Sequence, residues 1–425
     1  MNLNRRSFLM TTAVGVLAST TVSAFPQGAG GVKLGVQYAY ASTYDSIMKE
    51  IVAKFAVVRP DIQVEIVAAA TDYGDLAQRT MRAAIAGGMP DLTIGGLNTV
   101  ELLAERKVIA PLKPLIAKEA DWQASGYTSS ILSLGSVAGE PYCLPFTIAI
   151  KSVYYNLELV KRAGGDPENL PKSWDEVIAL QKKIQALGNG INGLYADYYF
   201  DDNNFCFHSW VQAQGGSIAT PEGKVAFGGK EGLQALKWLR GFGEAGMIDM
   251  TVSQAYQAFT AGTLGILIAS SSRITQLTNG TGDRFPIKVV AFPRSENGTI
   301  PGGGASVMIH AKSDAKLQAA WEFAKFVTGP VGSTEMVQRA GYLPGNDRVI
   351  NDERYLKSFY DKSPAQRTMV EQLPLLTKWY NWSGENALKI PIVIRDHMQQ
   401  VVALKKTPEE TIGKMVSDVQ ALLKA

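Results

Sequence analysis

The sequence predicts a two-lobed α/β protein, and three observations carry that prediction. Strand-like and helix-like runs alternate from Gly31 onward, the alternation restarts after Pro145, and the 425 residues exceed what one hydrophobic core usually organises. The apolar stretch Val32 to Tyr38 opens the pattern as a strand. Ile47, Ile51 and Phe55 then recur at helical spacing, and Ile62-Gln63-Val64-Glu65-Ile66-Val67 alternates as a second strand does. A second helix carries Leu76, Met81 and Ile85 on its apolar face and stops at Gly87-Gly88. Pro90-Asp91-Leu92-Thr93-Ile94-Gly95-Gly96 reads as a buried strand opening into a glycine-rich bend, and the carboxyl end of such a strand is where α/β sheets bind ligands.

Beyond Pro145, Ser152-Val153-Tyr154-Tyr155-Asn156 is a further strand, and Ser173-Trp174-Asp175-Glu176 has the Ser-x-x-Glu box of a helix start. Leu233, Leu236 and Leu239 mark a helix. Gly265 to Ile268, Ile287 to Val290 and Ser306 to Ile309 are strands, and the chain is helical again from Trp321. The last helix is bounded by Thr407 as cap, Pro408 at its first position and Glu410 closing the box. Its apolar face is Ile412, Met415, Val416, Val419, Leu422 and Leu423. The boundaries expected are 32–145 plus 262–311 for the first lobe and 146–261 plus 312–425 for the second.

The first residues predict export. Arg5-Arg6 precede a modest apolar run from Leu9 to Leu17, too short to span a bilayer of roughly 30 Å, which ends in the small residues Val22-Ser23-Ala24. Residues 1–24 are thus expected to be a twin-arginine signal, cleaved after Ala24, with the mature chain periplasmic. Lys and Arg number 42 against 39 Asp and Glu, well mixed and with no basic tract, which argues against nucleic acid as a partner. The two cysteines, Cys143 and Cys206, read as small buried hydrophobes, with a periplasmic disulfide as the other reading. No Cys/His cluster has metal-ligand spacing, and Asp197, Asp201 and Asp202 with Asn203 and Asn204 lack the closing glutamate of an EF-hand loop, so neither metal nor other cofactor is expected. A phosphate-binding P-loop is absent, so any ATPase is a separate partner.

Several stretches together carry a family resemblance: Ala86-Gly87-Gly88-Met89-Pro90-Asp91-Leu92, Leu144-Pro145-Phe146, Val153-Tyr154-Tyr155-Asn156, Ala261-Gly262-Thr263-Leu264-Gly265, Gly302-Gly303-Gly304-Ala305-Ser306 and Gly341-Tyr342-Leu343-Pro344. In this order the chain resembles the large extracellular solute-binding proteins of carbohydrate ABC importers, the group that includes maltose-binding and glycerol-3-phosphate-binding proteins. The resemblance implies a type II periplasmic binding protein fold with two lobes and a hinge, capture of a sugar or phosphorylated polyol by lobe closure, delivery to ABC permease subunits, no catalysis, and a monomer.

The final third is most similar to the glycerol-phosphate binders, whose positions matching Gly304, Tyr342 and Arg395 contact ligand. The chemistry fits, since a guanidinium offers a fork of donors and a glycine admits close backbone approach. Tyr73 and Ser270 or Ser271 match further contacts, and Gly303 adjoins one. Leu97-Asn98 stands where those relatives carry a glutamate, and Thr147-Ile148-Ala149 replaces their polar run, which points to a different ligand, a sugar or a less hydroxylated anion. Tyr38 and Tyr40 after the first strand, Tyr198-Tyr199-Phe200, Trp379 and Trp382 are candidate stacking faces for a sugar, with core packing as the ordinary alternative for each. Arg395 has its own ordinary reading as a surface ion-pair residue beside Asp396 or Glu385, and the glycine run as a bend. Two other functions stay open at this level: a secreted carbohydrate-active enzyme using carboxylates such as Asp197 and Glu385, and a ligand-presenting chemosensory protein.

Overall fold

The computed structural model describes residues 31–198 and 204–424. Arg5, Arg6 and Ala24 of the expected export signal, and Tyr199, Phe200, Asp201, Asp202 and Asn203, lie outside the described residues. In chain order the elements that build the site begin with β1 (Val32–Tyr38), α1 (Ala41–Val58), β2 (Ile62–Ile66), α2 (Tyr73–Ala86) and β3 (Leu92–Gly96). They continue with β4 (Leu144–Ala149), β5 (Lys151–Asn156), α3 (Trp174–Gln185), β6 (Asn192–Ala196), α4 (Phe205–Gln212), α5 (Lys230–Glu244) and α6 (Val252–Ala261). The remainder is β7 (Leu264–Ser270), β8 (Ile287–Ala291), β9 (Ile300–Ile309), α7 (Asp314–Thr328), α8 (Pro330–Ala340), β10 (Leu343–Pro344), β11 (Leu376–Lys378), α9 (Ile390–Val402) and α10 (Pro408–Lys424).

Two sheets result. The first runs β10-β4-β9-β3-β1-β2, with β11 paired to β9; β1 is parallel to β2 and β3, whereas β9 runs antiparallel to β3 and β4. The second runs β8-β5-β7-β6, with β5 antiparallel to both neighbours and β6 parallel to β7. Two large buried clusters form, and the larger continues from the second sheet to the first through Ile148, Met308 and Leu343. Leu34, Val36, Ile94 and Val307 pack under Phe55, Trp321 and Phe323 in one, and Val153, Leu194, Ile266 and Ile268 lie under Trp174, Trp210 and Leu239 in the other. At roughly 1.5–3 kcal/mol per large apolar side chain, either core is sufficient to hold a domain together.

Helix ends follow the sequence signals. Ser173 and Glu176 close a capping box on α3, and Thr407 and Glu410 bond each other's backbone N–H groups at α10. Asp72 caps α2 by accepting from Asp75 N at 2.8 Å. One amphipathic reading fails: Ile85, expected on the apolar face of α2, is 90% exposed, because nine residues at about 100° each set it on the side opposite the buried Leu76.

The expected lobe boundaries also need correction. Strands β7 and β8 were assigned to the first lobe, yet both belong to the second sheet, flanking β5. Helices α7 and α8 were assigned to the second lobe, yet Ala320, Trp321, Phe323, Ala324 and Met336 pack into the first core. The first sheet also keeps β4 up to Ala149. An apolar run says that a strand is buried; which sheet buries it is decided by pairing far away in sequence, and that is not written locally. The chain passes between the sheets at Ile150 and again between Ala291 and Ile300, and beyond Pro344 it runs on to helices whose Ile390, Ile394 and Met398 join the second core.

Candidate functional site

Between the sheets lies a cleft of about 620 Å³. It opens at the carboxyl ends of strands, as the α/β rule requires: Tyr40 follows β1, Asn98 follows β3, and Asp197 follows β6. Ala149 closes β4 and Ser270 closes β7, and both face the same space.

The first-sheet wall is built by tyrosines. Tyr40 takes a left-handed backbone (φ 56) at the start of α1, a conformation that costs a non-glycine residue of order 1 kcal/mol. Its N–H donates to Ala70 O at 3.1 Å, which holds that backbone. The Tyr40 ring meets the edge of Tyr73 at 4.9 Å between centroids. Tyr73 is the first residue of α2, so the Asp72 cap that starts the helix also aims the ring. Behind them, fully buried Tyr44 places its hydroxyl 3.2 Å from that of Tyr73 and 3.3 Å from Thr147 Oγ1, and it also bonds Tyr342. Burial pushes all three phenols above their ordinary pKa, so each stays a neutral donor.

The second-sheet wall holds a buried ion pair. Lys151 Nζ donates to Asp197 Oδ2 at 2.9 Å and to Asp197 O at 3.2 Å, with side chains only 4% and 3% exposed. The ammonium also lies 5.7 Å from the centroid of the Phe205 ring. Asp197 Oδ1 and Asn204 Nδ2 are buried without a hydrogen-bond partner, as are Asn98 Oδ1 and Trp382 Nε1 across the cleft. Buried polar groups are rarely left so, and four of them around one cavity mark a surface shaped for a polar guest. Arg273 adds a guanidinium stacked 5.7 Å from the Tyr256 ring centroid. The third wall is the segment after β11, where Trp379 packs 4.7 Å from Phe205 and Asn381 Nδ2 donates to Leu97 O and Trp379 O. An ion pair between Lys378 and Glu101 anchors this segment to the first half.

Of the residues predicted from sequence, Tyr73, Asn98, Ser270, Gly303, Gly304 and Tyr342 line this cleft, as do the aromatic candidates Tyr40, Trp379 and Trp382. Gly303 and Gly304 lie within β9 and not in a bend. A Cβ on Gly303 would press on Phe205 and Trp379, and Gly304 (φ 118) carries its α-carbon so close to Thr147 that a Cβ would collide with the Thr147 carbonyl oxygen. Four other predicted residues lie outside the lining, and one of them, Tyr198, is a fully buried core side chain. Tyr38 is buried with its hydroxyl on Asp45 Oδ1 at 2.7 Å, because it is the last strand residue and points into the first core. Ser271 clamps the crossing between the sheets: its Oγ accepts from Ile150 N at 3.1 Å and its N–H donates to Ile150 O at 2.7 Å. Arg395 sits mid-way along α9 with Nε and Nη2 on Asp396 Oδ1, the surface ion-pair alternative.

Sequence reasoning missed Lys151, Asn204, Phe205, Tyr256 and Arg273 as site residues. Lys151 was detectable as a cation at the head of a strand otherwise buried throughout; Arg273 and Phe205 carried no local signal. Cys143 and Cys206 are free and buried, and burial pushes both thiols up to about 12. Among the described residues no cluster of His, Cys, Asp and Glu could hold a metal, and no helix is long and apolar enough to cross a membrane.

Comparison with known proteins bears on the family and the fold. The chain is 26% identical over 298 residues to the sn-glycerol-3-phosphate-binding periplasmic protein UgpB of Agrobacterium fabrum, covering 67% of this chain and 68% of that one. Its fold is similar to that of a cyclic α-maltosyl-1,6-maltose binding protein from Arthrobacter globiformis (TM-score 0.79, 22% identity, 93% of this chain and 100% of that one). It is also similar to UgpB from Mycobacterium tuberculosis in complex with glycerophosphocholine (TM-score 0.78, 20% identity, 93% and 99%). The profile of the bacterial extracellular solute-binding proteins matches residues 40–333, and the chain therefore belongs to that family.

Proposed function

We propose that this protein is the periplasmic capture component of an ABC importer and that its solute is a neutral sugar, held between the two halves as they close. The observation that carries the sugar reading is the composition of the cleft. Flat faces of Tyr40, Tyr73, Phe205, Tyr256, Tyr342 and Trp379 alternate with buried, unpartnered acceptors and donors, the arrangement that sugar rings with apolar faces and hydroxyl edges require. Charge argues the same way. Three carboxylates, Asp72, Asp75 and Asp197, line the cleft against two cations, and one of those, Lys151, is already neutralised by Asp197.

A second reading, a glycerol phosphate or its diester, is favoured by Arg273 in the wall and by the names of the relatives above. Closure would turn on the crossings at Ile150, Ala291–Ile300 and beyond Pro344, with the solute as the bridge that favours the shut form. The protein acts in this reading as a monomer without bond chemistry, reaches the periplasm by the twin-arginine route, and presents the closed form to permease subunits.

Isothermal calorimetry against glucose, galactose, maltose, glycerol-3-phosphate and glycerophosphocholine tests it. A sugar that binds and raises the melting midpoint, with no heat from the phosphates, is the expected result. Binding of the phosphates alone would replace the sugar reading by the second one. Replacing Arg5-Arg6 by Lys-Lys should abolish export if the twin-arginine assignment holds.

A further inference from the structure

We propose that Asp197 and Asn204 form a hydroxyl-reading subsite, with Lys151 as the group that holds the carboxylate in place, and that this subsite selects neutral sugars against sugar acids. The inference rests on the sugar reading above and deepens it. Both side chains are buried, Asp197 at 3% and Asn204 at 2% exposed, and both line the cleft. Each has one edge without a partner: an acceptor, Asp197 Oδ1, and a donor, Asn204 Nδ2. The other carboxylate oxygen is committed to Lys151. Two of the three N–H bonds of Lys151 go to that oxygen and to Asp197 O, and its charge is matched by the Asp197 carboxylate, so an anionic solute meets a neutral pair and not a free cation.

A hydroxyl group is the partner that answers both edges, since it donates to Oδ1 and accepts from Nδ2. Phosphate and carboxylate groups bring only acceptors at neutral pH, and they would meet the ionised Oδ1 edge as like charge. The subsite thus reads the proton on the ligand's oxygen. The same bookkeeping explains why a carboxylate is buried here at all: a hydroxyl donating to a carboxylate makes a stronger bond than one donating to a neutral amide oxygen.

The test is calorimetry of the full mature protein, its Asp197→Asn and Asn204→Ala variants, with glucose, galactose and maltose as neutral probes and glucuronate and galacturonate as acids. For the neutral sugar that wild type binds, Asp197→Asn is expected to weaken affinity about 10- to 100-fold, the size of one charge-assisted hydrogen bond. Asn204→Ala is expected to weaken it about 3- to 10-fold, the size of a neutral one. The same Asp197→Asn change should strengthen binding of the matching sugar acid, an inversion that a loss of stability cannot produce. Asn204→Ala removes only an unpartnered donor and so serves as the variant that keeps its fold. Should wild type bind a sugar while both variants bind it within twofold of wild type and the acid is not improved, the subsite is wrong and the sugar reading survives. Binding of no sugar at all by wild type would overturn both.

Discussion

Replacing Lys151 by Met tests the electrostatic heart of the cleft. The change keeps most of the side-chain volume and removes the charge, leaving the Asp197 carboxyl without its counter-ion in a position where its side chain is 3% exposed. Two hydrogen bonds, at 2.9 and 3.2 Å, go with it, and Asp197 Oδ1 already lacks a partner, so nothing on the carboxylate compensates. Breaking one side of such a buried pair costs about 3–5 kcal/mol. Removing both sides by Lys151→Met with Asp197→Leu should restore stability to within about 1–2 kcal/mol of wild type, since the desolvation cost of the surviving charge disappears. Urea unfolding followed by tryptophan fluorescence reads both, because Trp174 and Trp210 lie in the second core beside the affected strand. The single variant should unfold at distinctly lower urea, the double variant near wild type, and the double variant should still fail to bind sugar. A single variant within 1 kcal/mol of wild type would refute the claim that the pair is dry and coupled.

Three further outcomes are expected. Gly304→Ala should destabilise by about 2–4 kcal/mol in the same urea assay, because a left-handed φ of 118 and the Thr147 carbonyl both exclude a Cβ. His208 is fully buried with neither ring nitrogen partnered, and burial lowers its pKa to about 3. Its folded pKa lies below the unfolded value near 6.5, so the unfolded chain binds the extra proton and stability falls as pH drops from 6.5 toward 4, by about 3 kcal/mol from this group. His208→Leu should flatten that slope while leaving stability above pH 7 little changed. Arg395→Ala should leave solute affinity within twofold in calorimetry, since Arg395 lies outside the cleft and bonds Asp396; a tenfold loss would return it to the site.

Much of the architecture was legible because it is local. Caps at Ser173 and Thr407, the strand Val32–Tyr38 and the buried strand Leu92–Gly96 each follow from spacing and side-chain chemistry within a few residues. What failed was long-range. Leu264–Ser270 looks the same in sequence whether it pairs with the first sheet or the second, and only its ladder with Lys151–Asn156 decides. The site divides on the same line. Gly303, Gly304, Tyr342 and Tyr73 were found through ordered motifs, whereas Arg273 and Lys151 enter the cleft because β5 starts beside the end of β7, with Lys151 opposite Ser270. Ser271 and Arg395 show the limit of carrying a contact over by position. One residue of register turns Ser271 from the cleft to the crossing, and one helical face turns Arg395 to Asp396.

The central claim is that a neutral sugar bridges the two halves, and small-angle scattering of the mature protein with and without the sugar that calorimetry identifies tests it directly. The radius of gyration should fall on adding sugar to just above the wild-type Kd, and at that concentration the fall should be largely lost in Asp197→Asn. A profile unchanged by a sugar that calorimetry shows to be bound would contradict the account.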